Sequence, residues 1–395
     1  GETLSKVAGV FGNMMAANTS EELQKVNEEV APMMATHSDN VSMNAKLFEK
    51  IKAVYDAKDS QKYTGEQLAL LEKTYKQFVR SGALLDAEKQ AELREVNAEL
   101  TKVEAKFDAN LLKETKSYQL VIDNQENLKG LPQGEIEKAA ALAKQKGKEG
   151  KWIFTLDNPS FIPFVTYADN RDLRKEIFNA RVNRCNNGGE TDNNSLVAQM
   201  AELRAKKAQL LGYETFAHYQ LEERMAKEPK AVFDLLENLL TYSVKVAKEE
   251  AKEFQALLSK DVPGATLEAW DMYYYAEKVR QQKYNFDAES TRPYFEINNV
   301  RQGCFDVLTK LYGISFEERK DVSVYAEDVL AFEAKNEKGE HVGILYWDPY
   351  TRPSKGSGAW CNEYRGQSRK DGKNITPIIT VCFNYAKSPN GATTL

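Results

Sequence analysis

The residues best suited to chemistry lie in one stretch, Asp348-Pro-Tyr-Thr-Arg-Pro-Ser-Lys-Gly-Ser-Gly-Ala-Trp360. Tyr350 and Trp360 offer flat apolar faces, and Arg352 and Lys355 offer positive charge. Gly356, Gly358 and Ala359 let another backbone approach closely. Ser354 adds a hydroxyl. Together these residues suit the binding of an extended peptide: main-chain pairing along a sheet edge, with aromatic walls for side chains. The alternative is an ordinary surface loop on a small sheet. The chemistry is that of binding, because no catalytic constellation accompanies it. The chain has three histidines, His37, His218 and His341. None lies within zinc-motif spacing of another, and none sits in His-Glu-x-x-His. His218 and His341 read as packed or surface histidines. There is no Gly-x-Ser-x-Gly elbow and no phosphate loop. Cys185, Cys304, Cys361 and Cys382 are scattered, without metal or redox spacing, and read as free thiols.

Around this stretch the pattern is that of strands. Val329 to Ala334 and Val342 to Trp347 are β-branched and aromatic runs, joined by the turn Asn336-Glu337-Lys338-Gly339. Thr376 to Tyr385 reads as a third strand, with Pro377 placing its start on a sheet edge. Two prolines and two glycines exclude helix between the second and third strands.

Before residue 329 the pattern is helical. Leu4, Val7, Phe11 and Met14 mark a first helix. A second runs toward Val30, Pro32 fits the start of another stretch, and Ser38-Asp39 opens a third segment through Val54. Further helices cover about Gly65 to Ser81 and Asp86 to Lys113. In the latter, Leu93, Val96, Leu100, Val103 and Phe107 form a seam of alternating three- and four-residue spacing. Helical runs from Glu135 to Lys146, Asn170 to Arg184, Asp192 to Gly212, Ala231 to Ser259 and onward from Trp270 follow. Tyr118 to Ile122 reads as a short strand. The expected fold is therefore mainly α, with a small β-sheet near the C-terminal end.

At 395 residues, 42% hydrophobic and 29% charged, the chain can bury a large core and has ordinary soluble composition. A net charge of −5 and the absence of a basic, aromatic-interleaved patch argue against nucleic acid. No apolar run is long enough for a membrane span. The chain opens with Gly1-Glu2-Thr3 and no Met, so it reads as a piece of something longer. The compartment stays open between cytoplasm and periplasm, and the oligomeric state stays open with a monomer the simplest expectation.

Several segments resemble the thimet oligopeptidase-like zinc metallopeptidases, especially their bacterial peptidyl-dipeptidase branch. The residues that carry the resemblance are Gly343, Tyr346, Asp348, Tyr350, Arg352, Lys355, Gly358-Ala359-Trp360 and Asn384-Tyr385. Phe78-Val79-Arg80-Ser81-Gly82-Ala83, Leu210-Leu211-Gly212-Tyr213 and Trp270-Asp271 extend it toward the N-terminus. The resemblance implies a two-lobed helical peptidase that binds one zinc through His-Glu-x-x-His and a downstream glutamate. The motif's own glutamate serves as general base. It implies short peptides as substrates and release of dipeptides from a free C-terminus. The family's zinc motif follows a strand like Thr376 to Tyr385, and this chain reaches Leu395 without it. The polypeptide is therefore read as an internal fragment, inactive by itself, with zinc expected in the complete enzyme and none bound to this chain. The expected regions are 1–155, an N-terminal helical part; 156–328, the helical part of the catalytic region; and 329–395, the small sheet and substrate channel. The expected substrate-binding residues are Tyr350, Arg352, Ser354, Gly356, Gly358, Ala359 and Trp360. Two other readings remain: an oligo-endopeptidase of the same family, and a helical binding scaffold without a metal site.

Overall fold

The computed structural model describes residues 1–286 and 288–387. In chain order the helices are α1 (Glu2–Ala17), α2 (Glu21–Ser42), α3 (Ala45–Asp56), α4 (Gly65–Arg80) and α5 (Ala87–Ser117). Strand β1 (Leu120–Ile122), helix α6 (Gln133–Gln145) and strand β2 (Trp152–Phe154) follow. Next come α7 (Asn158–Tyr167), α8 (Arg171–Val182), α9 (Asn194–Leu210), α10 (Phe216–Leu221), α11 (Pro229–Asp261), α12 (Met272–Tyr284) and α13 (Ile297–Tyr312). The last strands are β3 (Ser315–Glu318), β4 (Leu330–Lys335), β5 (His341–Tyr350), β6 (Trp360–Arg365) and β7 (Ile378–Tyr385). The protein is mainly α with a small sheet toward its C-terminal end, as the hydrophobic periodicity predicts. No helix among the described residues is long and apolar enough to cross a membrane.

Two compact units share the chain. The first comprises residues 1–23, 112–184 and 249–395, and the second residues 24–111 and 185–248.

The first unit has three apolar clusters. The ribbon β1–β2, paired Leu120 to Phe154 and Ile122 to Trp152, covers Phe161, Phe164 and Ile177 of α7 and α8. Phe254 and Leu258 pack with Tyr274 and Tyr275, so the tyrosine-rich start of α12 is core. Beside them Asp271 is fully buried and accepts from Arg171 Nη2 at 2.7 Å and Arg174 Nη2 at 3.2 Å. The third cluster lies on the five-stranded sheet, where Phe305 of α13 meets Phe332, Leu345 and Trp347.

The sheet runs in the order β3-β4-β5-β7-β6. Strands β5 and β7 are parallel and the other pairs antiparallel. Two expectations change here. The strand led by Pro377 is not an edge, because β7 lies between β5 and β6. Pro377 precedes the strand, needs no ladder donor there, and its carbonyl accepts from Ile344 N at 3.0 Å. Its neighbour Gly343 is required by that approach, since a Cβ would sit 2.8 Å from the Pro377 oxygen. The edges are β3 and β6, and β6 begins at Trp360, where the residue pattern reads as loop.

In the second unit the α5 seam is buried at Leu93, Val96, Leu100 and Val103. Phe48 of α3 stacks on Tyr75 of α4 at 5.7 Å. Thr64 and Gln67 form a reciprocal capping box at the start of α4. Pro32 does not begin a helix: it lies inside α2, which runs on to Ser42. A proline removes one donor and crowds the preceding turn, but good helix formers on both sides carry the helix through. The next break falls at Asn44, whose Oδ1 accepts from Leu47 N at 2.9 Å as an N-cap.

Part of α11 is apolar and open to solvent. Phe233, Leu236 and Leu240, spaced along one helical face, are 60%, 53% and 59% exposed. Ile378, Val381 and Phe383 of β7 are half-buried instead, the last two packed on the Trp347 cluster. Apolar side chains that bury nothing contribute little to folding. The double substitution Leu236→Glu with Leu240→Glu is therefore expected to shift unfolding stability by less than about 0.5 kcal/mol. It should also lower binding of a hydrophobic fluorescent dye. A clear loss of stability in a urea titration would show that this face is packed in solution.

Candidate functional site

The segment from β5 to β6 is built around Asp348, which is fully buried near the end of β5. Arg352 Nη1 donates to Asp348 Oδ1 at 2.8 Å and Nη2 to Oδ2 at 2.7 Å, a bidentate pair. Lys355 Nζ lies 3.0 Å from Asp348 Oδ1 and donates to the carbonyls of Asp348 and Tyr350 at 2.9 and 3.0 Å. Those three contacts fill the ammonium's donor capacity. Tyr325 Oη donates to Asp348 Oδ2 at 2.9 Å, and Cys382 Sγ approaches the same oxygen at 3.7 Å. Burial by itself raises the Asp348 carboxyl's pKa, but Arg352 and Lys355 overcome it and hold the group below the usual carboxylate range. Burial pushes the Lys355 ammonium down and the Tyr325 hydroxyl and Cys382 thiol up.

The loop beyond this cluster is fastened to the end of α1. Gly356 N donates to Ala16 O at 2.9 Å, and Arg352 Nη2 donates to Ala17 O. These bonds satisfy carbonyls that a helix C-terminus leaves without partners, and a cation there also suits the helix dipole. Thr19 N donates to Ser354 O at 2.8 Å, and Ser354 Oγ donates to Asn18 Oδ1 at 2.8 Å. Asn13 Nδ2 donates to Glu363 O at 2.8 Å, tying α1 to β6.

The structure thus brings the expected binding residues onto one segment and gives them different surroundings. Arg352, Ser354 and Gly356 are engaged with Asp348 and α1. Tyr350 pairs with Tyr385 at the end of β5. Gly358 has φ +101°, with nothing within 4 Å of where a Cβ would stand. Ala359 is exposed, and Trp360 is half-buried where β6 begins. The residues that lock the segment, Asp348, Lys355, Tyr325, Thr380 and Cys382, did not stand out as a group. The available signal was three charged residues, Asp348, Arg352 and Lys355, in a stretch otherwise of uncharged residues rich in proline and glycine.

The side chains were also compared with what a zinc ion needs, three protein ligands held in a fixed arrangement. His218 Nδ1 is 2.9 Å from Thr215 Oγ1. His341 lies between Glu333 Oε1 at 2.9 Å and Thr376 Oγ1 at 3.1 Å. No group of three or more His, Cys, Asp or Glu among the described residues could hold a metal ion. The described residues therefore do not fit a resident zinc.

Comparison with known proteins gives a consistent assignment. The sequence profile of Peptidase family M3 matches residues 164–395. The chain is 32% identical to the dipeptidyl carboxypeptidase of Escherichia coli (strain K12), over 99% of this chain and 57% of that protein. It is 31% identical to oligopeptidase A of Salmonella typhimurium, over 99% of this chain and 58% of that protein. It is also 31% identical to the organellar oligopeptidase A of Arabidopsis thaliana, over 93% of this chain and 48% of that protein. The chain spans between about half and three-fifths of the length of these curated relatives.

Proposed function

The chain belongs to peptidase family M3, and on that premise we propose that it forms the peptide-binding part of a zinc metallopeptidase that releases dipeptides from short peptides. The observation that carries this reading is the alignment with a dipeptidyl carboxypeptidase across 99% of the chain. The sheet supports it. Strand β6 is an edge, paired on one side by β7. An extended peptide can add to such an edge through main-chain hydrogen bonds that do not read side-chain identity. Tyr350, Arg352, Ser354, Gly356, Gly358, Ala359 and Trp360 form the approach to it. Arg352 and Ser354 act there by holding the loop, while Ala359 and Trp360 face the peptide.

The second reading, an oligo-endopeptidase, is favoured by the similar identity to oligopeptidase A, 31% over 99% of the chain. The two differ in their need for a substrate carboxylate. The test uses the complete gene product with a short peptide and its C-terminal amide. Release of dipeptide from the free acid alone supports the first reading. Equal cleavage of both supports the second, and cleavage of neither leaves a non-catalytic scaffold.

Within that enzyme, Ala359→Phe probes the channel without strain. Gly358 is less suitable, because its positive φ penalises any L side chain whatever the space. Obstructing the peptide's path should lower kcat/KM by about tenfold, equivalent to about 1.4 kcal/mol of lost transition-state stabilisation, with an unchanged melting temperature. Normal kinetics in the folded variant would remove this segment from the channel. The 395-residue polypeptide alone should retain no stoichiometric zinc after dialysis and cleave no peptide. A tightly held zinc with activity would overturn that expectation.

A further inference from the structure

We propose that the second unit carries a binding site for a small zwitterion, an amino acid or dipeptide with a free ammonium and a free carboxylate. The site is a cavity of about 280 Å³ where α2, α5 and α9 bring Asp39, Asn97 and Lys207 together. Asp39 is 8% exposed, and its carboxylate oxygens accept from a single nitrogen, Asn97 Nδ2, at 2.9 and 3.1 Å. On the other side of that amide, Asn97 Oδ1 accepts from Lys207 Nζ at 2.8 Å. One neutral amide therefore stands between a buried anion and a half-buried cation.

Neither charge is saturated. A carboxylate can accept about four hydrogen bonds and an ammonium can donate three. Burial accordingly raises the Asp39 pKa, with Asn97 offsetting only part, and lowers that of Lys207. The other charged groups at the cavity are either engaged, as Arg80 is, or open to water, as the half-exposed Glu104 is. Arg80 donates to Tyr219 O at 2.7 Å and pairs with Glu222, while Glu104 accepts from Arg204 Nη2 at 2.7 Å. The open valences belong to Asp39 and Lys207, an acceptor for an ammonium and a donor for a carboxylate in one cavity.

The remaining wall is mixed, with Leu93 and Leu100 beside the hydroxyls of Ser38, Ser42, Ser81 and Thr101. Leu93 and Leu100 are buried, and Tyr219 adds to the lining. Such a wall suits the small side chains and peptide group of a short zwitterion between its two charged ends. The volume lies just below the roughly 300 Å³ at which pockets for drug-sized ligands begin, so amino acids and dipeptides are the matching size. The site lies wholly within the second unit and its chemistry does not depend on the hydrolytic reading.

The test is calorimetric titration of the 395-residue protein with L-alanyl-L-alanine, its N-acetyl derivative and its C-terminal amide. The free dipeptide should bind at least about tenfold more tightly than either capped form. Asp39→Asn should weaken the free dipeptide about tenfold and remove its advantage over the N-acetyl form. Lys207→Met should do the same with respect to the amide. Circular dichroism melting checks that both variants fold. If either does not, Ser42→Phe on the half-exposed lining fills the cavity and should abolish binding at an unchanged melting temperature. No binding, equal binding of all three probes, or binding indifferent to these substitutions would overturn the site. Binding in the peptide channel is indifferent to Asp39→Asn, so failure here and failure of the hydrolytic reading are separately visible.

Discussion

Replacing Lys355 with methionine is expected to destabilise the protein by about 3–5 kcal/mol, read from the urea unfolding midpoint. Methionine matches the lysine stem but not its head. The carbonyls of Asp348 and Tyr350 would lose their donor, and the Asp348 carboxylate would lose one of its two cations. Lys355 is 1% exposed and Asp348 fully buried, so water cannot take over those bonds cheaply. Adding Asp348→Asn should not restore stability, because it leaves the Arg352 guanidinium without its carboxylate, but the double variant should lose less than the sum of the two single variants. A strictly additive double variant would show that Lys355 and Asp348 do not act as a pair. If Lys355→Met were as stable as the parent and bound peptides less well, the lysine would belong to the channel instead.

Asp271→Asn is expected to cost a similar amount, about 3–5 kcal/mol, in the same measurement. Asp271 is fully buried and faces two guanidiniums, those of Arg171 and Arg174, the second of them also buried. Arg174 is held further by the carbonyls of Ala168 and Asp169 at 2.7 and 3.1 Å, so it cannot turn toward solvent. The variant would strand a buried cation. The loss should also depend on pH. Burial raises the Asp271 pKa, but the Arg171 bond, the Glu268 backbone N–H and Arg174 outweigh it and leave it below the ordinary value. A carboxyl depressed in the folded state contributes stability that is fully present above its unfolded pKa, about 3.9. That contribution fades as pH falls through the folded value. The gap between parent and Asp271→Asn should therefore be widest near neutrality and narrow below about pH 4. A gap independent of pH would assign the effect to packing rather than charge.

Much of the secondary structure was legible because it is local. The α5 seam shows in the spacing of Leu93, Val96, Leu100 and Val103, and burial follows it. The β4–β5 hairpin shows in its two apolar runs and the Gly339 turn. Errors fell where a residue's neighbours in space differ from its neighbours in sequence. Pro32 reads as a helix start, yet α2 passes through it. Pro377 reads as an edge marker, yet β7 pairs on both sides. A strand's place in a sheet depends on which segments pair, and pairing is not encoded in one strand's composition.

The candidate site divides in the same way. Residue types alone marked the stretch 348–360 as a candidate and showed no His-Glu-x-x-His in these 395 residues, while the motifs carried a resemblance to a peptidase family. They could not say which charges remain available. Arg352 and Lys355 look like free cations in the sequence, and only folding brings them onto Asp348, with Arg352 also on the end of α1, more than three hundred residues earlier in the chain. The same holds for Asp39 and Lys207, which meet across Asn97 because α2, α5 and α9 pack around one cavity. Helix and strand propensities act within a few residues. Burial and charge pairing act through space, so the tertiary structure alone decided which polar groups are fastened and which are left open to a ligand.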